Sequence, residues 1–165
     1  MFRKSERIYI MRIEITKELG VSPEDFYDFM IDSLTSQIRK DLDMDVEPSQ
    51  LTAGYTHKVK STDRKNHTET IRFTVKKAVR PREFMIVYSS VLRKTGVTYK
   101  FEPCDKGCRF TYVYHVNNTD TTRKPGPIKA RIEELQARTR LTTMIGQAEA
   151  DCRKRIKERE KEAGK

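Results

Sequence analysis

From Met11 to Lys17 the chain alternates apolar and polar residues, the period of a strand with one face buried. The period then changes. Ser22-Pro23-Glu24-Asp25 predicts a helix start. The Ser22 side chain can accept from orphan backbone N–H groups, Pro23 suits the first helical position, and the two acids complement the positive helix end. Phe26, Phe29, Met30, Leu34 and Ile38 follow at helical spacing, and the stripe fades by Leu42.

Alternation returns after the acidic turn Asp41 to Glu47. Leu51, Ala53, Tyr55, His57 and Val59 alternate with polar residues, as do Ile71, Phe73 and Val75. Arg80-Pro81-Arg82 separates these from a more continuously apolar strand, Glu83 to Val91, because proline cannot continue a central strand. Val97, Tyr99 and Phe101 lead into a turn at 104–108, and Phe110, Tyr112, Tyr114 and Val116 lead out. Short links predict antiparallel neighbours. In this last pair, setting Phe101 opposite Phe110 and Tyr99 opposite Tyr112 puts all four on one buried face. A slip of one step would send them to opposite faces, so the first register is expected.

Gly126-Pro127 opens the last helical region. Ile128, Ile132, Leu135, Leu141, Met144, Ile145, Ala148, Cys152 and Ile156 sit mostly on one broad stripe. At about 1.5 Å per residue the region would reach roughly 50 Å, so a break near Arg138 to Thr143 or a frayed end after Ile156 is expected. The element order predicts one α+β domain, a curved antiparallel sheet covered by the last helix. Its expected extent is 11–156, with an N-terminal tail at 1–10 and a charged tail at 157–165.

Composition narrows the picture. A chain of 165 residues is the size of one domain, and 35% of it is charged, so most charges must be solvated. No apolar run is long enough to span a membrane. Residues 1–10 lack the apolar stretch and small-residue cleavage site of an export signal, and Met11 is an alternative start. Three cysteines, Cys104, Cys108 and Cys152, then read as free thiols in a reducing cytoplasm.

The net charge is +10, and residues 51–100 carry 12 basic residues against 3 acidic ones. Those cations alternate with apolar residues on strands, the pattern of a solvated sheet face. No helix-turn-helix, zinc finger or RNA-binding aromatic signature accompanies them, so nucleic acid is not the expected partner.

Metal and cofactor sites are not expected. Cys104 and Cys108 form a single pair without a second, and Asp41, Asp43, Asp45 and Glu47 lack the glycine a calcium loop needs at its sixth position. His115 has no carboxylate nominated to orient it as a base. The tyrosines carry more. Tyr55, Tyr88, Tyr99, Tyr112 and Tyr114 fall on presumed inward faces, which makes either a tyrosine-rich core or a pocket with a polar wall. With His57 and Met144 they are the candidate residues for a small hydrophobic or aromatic ligand; no catalytic residue is nominated.

Met11-Arg12-Ile13-Glu14-Ile15 leading to the segment 22–33, Tyr55 with its alternating strand, and the basic-apolar helix Arg138 to Ile156 together resemble the helix-grip fold of the START and polyketide-cyclase-like superfamily. More specifically, they resemble a bacterial family of unknown function, found mainly in Firmicutes and placed near that superfamily. The resemblance implies a curved sheet wrapped around a long C-terminal helix, with ligand held between them. It implies a binding or regulatory module first. A basic adaptor contacting nucleic acid or an acidic protein is one alternative, and a hydrolase or cyclase using His57 or His115 is another.

Overall fold

A computed structural model of the chain describes residues 9–62, 65–91, 93–118 and 126–164. Strand β1 spans Tyr9–Leu19 and helix α1 Pro23–Leu42, followed by a single 3-10 turn, Pro48–Gln50. Strands β2 (Thr56–Thr62), β3 (Thr68–Val79), β4 (Glu83–Ser89), β5 (Arg93–Cys104) and β6 (Gly107–Asn118) come next, and helix α2 (Pro127–Ala163) closes the chain. All pairs are antiparallel, in the order β1-β6-β5-β4-β3-β2. The fold is α+β: a curved sheet against a long C-terminal helix, the helix-grip arrangement.

The β5–β6 register is the one the alternation predicts, with Phe101 opposite Phe110 and Tyr99 opposite Tyr112. A two-residue turn, Asp105-Lys106, closes it. Gly107 takes φ +143 there, and a Cβ at this position would stand 2.5 Å from the Val21 carbonyl oxygen. At the other helix-defining site the Ser22 Oγ accepts from the Asp25 N–H at 3.1 Å, with Pro23 in the first turn. Helix α1 lays Phe26 and Tyr27 onto the inner face of the sheet. Their rings meet Phe110 and Phe101 edge-on at 5.0 and 5.2 Å between centroids.

Three expectations need correction. Leu51 and Ala53 are not strand residues: Gly54, at φ +99, turns the chain, and buried Leu51 plugs the core from the loop. The fourth strand stops at Ser89, leaving Val91 94% exposed. Helix α2 neither breaks near residue 140 nor frays at 156. Its threonines do not compete with it, since Thr139, Thr142 and Thr143 donate to carbonyls four residues back and leave the helical bonds in place. No helix among the described residues is long and apolar enough to cross a membrane.

Candidate functional site

The inner face of the sheet is paved with rings in register. One row reads Phe84, Tyr99, Tyr112 and Ile15 across β4, β5, β6 and β1, and another reads His57, Phe73, Tyr88 and Thr95 across β2 to β5. Tyr114 lies between Val97 and Ile13 in the row between them. The structure thus brings Tyr88, Tyr99, Tyr112 and Tyr114 onto one face, with Tyr55 and His57 at its β2 margin. His57 stacks on Phe73 at 4.6 Å and shares a hydrogen bond of 3.0 Å with the Tyr55 hydroxyl.

The hydroxyls of Tyr88, Tyr99, Tyr112 and Tyr114 have no hydrogen-bond partner among the described residues. Their rings are largely buried. Burial, then the neighbouring phenols, raises the Tyr99 hydroxyl well above its ordinary range, and the same causes push Tyr112 up to about 12. Burial holds His57 below the usual imidazole value. Each of these phenol oxygens still keeps some accessible surface, since the one fully buried, unpartnered side-chain oxygen or nitrogen among the described residues is Asn117 Oδ1. An unpaired phenol that reaches the surface can bond an incoming polar group.

Met144 is not brought to the tyrosines; it is 45% exposed on α2. At about 100° of rotation per residue it stands a full step from buried Ile145. His115 faces the outer side of the sheet, opposite Arg12 and Gly96, so it and His57 cannot act on one substrate. Among the described residues no carboxylate is hydrogen-bonded to His57.

Helical phase also explains where the sheet is left open. Leu141, Ile145, Ala148, Cys152 and Ile156 form the stripe packed on the core. Ile128, Ile132 and Leu135 do not continue it; they lie about 80–140° away and are 80%, 49% and 60% exposed. In line with Ile145 the first half of α2 instead presents Glu134 and Arg138, whose guanidinium bonds Glu134 Oε1 at 3.4 Å and the Glu14 carbonyl at 3.2 Å. This polar contact holds the helix near β1 but cannot fill the space beside it.

A groove of about 470 Å³ results, lined by Met11, Tyr114, Ala137, Leu141, Glu133 and Arg140. Tyr114 is the one tyrosine of the cluster that lines this groove, and Tyr112 lies two residues from it on the same face of β6. The second half of α2 is tied down. Gly20 N–H donates to Glu149 Oε2 at 2.7 Å, Arg159 bonds Asp25 at 3.2 Å, and Arg155 pairs with Asp32. The sequence carries the signal that separates the two halves, the change of phase between Leu135 and Leu141. The broad stripe conceals it unless each position is placed around the helix.

By sequence, residues 11–126 match a family described as a domain of unknown function, DUF3284. No curated protein matches the chain by sequence. By shape, it is similar to a protein of unknown function, SA2116, from Staphylococcus aureus (11% identity, 92% of this chain and 98% of that one, TM-score 0.60). It is also similar to Ara h 8.0201, of the Bet v1-like helix-grip fold (13%, 87% and 98%, TM-score 0.56). A third is protein NE0264 of Nitrosomonas europaea (13%, 94% and 99%, TM-score 0.54). At such identities the likeness concerns the fold.

Proposed function

The chain belongs to the DUF3284 family of domains of unknown function, and from its own surfaces we propose that it is a binding module for a small, partly apolar ligand. The ligand lies in the groove between the first half of α2 and the inner face of the sheet. Met11, Ala137 and Leu141 supply apolar contact, and Tyr114, then Tyr112, Tyr99 and Tyr88, supply hydroxyl groups. Tyr55 and His57 form the far margin. Residues 11–156 form the binding unit, and three free cysteines suit a reducing cytoplasm. The observation that carries this reading is the groove of about 470 Å³, within the range of small-molecule sites, beside phenols that have no internal partner. The helix-grip likeness adds support, because ligand binding between sheet and helix is common in proteins of that shape.

Titration with N-phenyl-1-naphthylamine, a neutral aromatic fluorophore, tests it. One saturable site per chain is expected. Ala137→Trp, which fills the groove, and Tyr114→Ala should each weaken binding at least tenfold. Saturation that survives both substitutions, or none at all, would overturn the assignment.

A further inference from the structure

The outer face of the same sheet divides into two unlike halves. Over β1 and β6 its charges alternate and pair, Arg12 with Glu14 and Arg109 with Glu18, each at 3.1 Å. Over β2 to β5 the match is poorer: Lys77 pairs with Glu83 at 2.8 Å, and other cations lie outside that pair. Arg72, Ser89 and Lys94 lie side by side across β3, β4 and β5, with Lys58 next to Arg72 on β2. Lys76 follows further along β3. None of Lys58, Arg72, Lys76 or Lys94 has an ion pair or side-chain hydrogen bond among the described residues. Like charges set on neighbouring strands repel, so this half of the face is held against a cost that the β1–β6 half avoids.

The surface here is also hollow. Val87 points to the outer side, opposite Thr74 and Gly96, yet is 5% exposed, because the side chains around it stand as walls. A groove of about 380 Å³ lies over it, lined by Arg72, Lys76 and Lys94 together with Thr56, Thr74 and Ser89. The hydroxyls of Thr56 and Thr74 are 3.3 Å apart. Strands are about 4.8 Å apart, so the Arg72 and Lys94 backbones are about 10 Å apart, within joint reach of one group above Ser89. Lys76 stands further along β3, at the bulge where the register shifts between Val75 and Lys77.

We infer that this groove is a second site, independent of the inner-face cavity, that binds the phosphate groups of a small polyphosphate-bearing molecule. Three cations spread over that span match an anion with more than one charged group. Phosphate oxygens accept both from guanidinium and ammonium groups and from hydroxyls. A small molecule fits better than a nucleic acid strand. The volume is that of a metabolite site, and no aromatic ring lines the groove for bases to stack on.

Calorimetric titration of the full chain at 0.15 M salt, with inorganic pyrophosphate and separately with a twelve-nucleotide single strand, tests this. Pyrophosphate should saturate one site per chain. Arg72→Gln and Lys94→Gln should each weaken it at least tenfold, while Lys129→Gln and Lys154→Gln on α2, which remove the same charge, should change it less than twofold. All four positions are exposed, and thermal melts confirm folding. An absence of saturable heat, or equal weakening by the α2 variants, would overturn the site. An oligonucleotide that binds more tightly than pyrophosphate and is lost in the groove variants would overturn it in favour of nucleic acid. Fluorophore binding on the inner face should be unchanged by any of these substitutions, so the two assignments fail separately.

Discussion

Replacing Tyr112 by Phe removes one hydroxyl from the inner face and leaves the ring. Tyr112 is 6% exposed, and its ring remains packed against Tyr99 at 5.5 Å. Burial raises its ionisation from 10.0 to about 12. A hundredfold change in proton affinity corresponds to about 2.7 kcal/mol, the amount by which ionising Tyr112 is harder in the folded protein than in the unfolded chain. The fold tolerates only the neutral phenol. Stability is therefore complete below pH 10 and falls as pH rises through 10 toward 12, where up to about 2.7 kcal/mol is lost. The Phe variant has nothing to ionise there and should lose less, by about 2 kcal/mol at pH 11.5. Cys108 and Cys152, both pushed up to about 11 by burial, titrate in the same window. They are common to both proteins, so the difference between urea midpoints at pH 8 and pH 11.5 isolates Tyr112. At pH 8 the substitution should be neutral or slightly stabilising, because the hydroxyl has no internal partner to lose. Parallel pH profiles for the two proteins would refute the desolvated phenol, and with it the polar wall assigned to the groove.

Two further substitutions test the local structure that positions the site. Ser22→Ala should lower stability by about 1 kcal/mol in thermal melts, since it deletes the bond to the Asp25 N–H; no change would place the helix start elsewhere. Gly107→Ala should cost about 2 kcal/mol or more by chemical denaturation, because φ +143 strains any side chain and the new Cβ would meet the Val21 carbonyl; a cost under 0.5 kcal/mol would mean the turn relaxes freely.

Local chemistry alone determined much of this protein. The Ser22-Pro23 start, the alternation of Tyr99 and Phe101 against Phe110 and Tyr112, and the antiparallel pairing of strands joined by short links all follow from periods, caps and turns whose physics spans a few residues. The hairpin register was legible because one step of slip would bury the wrong face. The tertiary structure decided what depends on residues distant in the chain. Whether the hydroxyls of Tyr88, Tyr99, Tyr112 and Tyr114 find partners depends on which atoms of α1, α2 and neighbouring strands reach them, and among the described residues none do. Whether α2 closes over the sheet depends on its phase relative to β1, set by the Arg138 contact to Glu14 and the Glu149 contact to Gly20. The unpaired cations read, strand by strand, as an ordinary solvated face. Only lateral pairing, which brings Arg72 and Lys94 to either side of Ser89, gathers them around one groove.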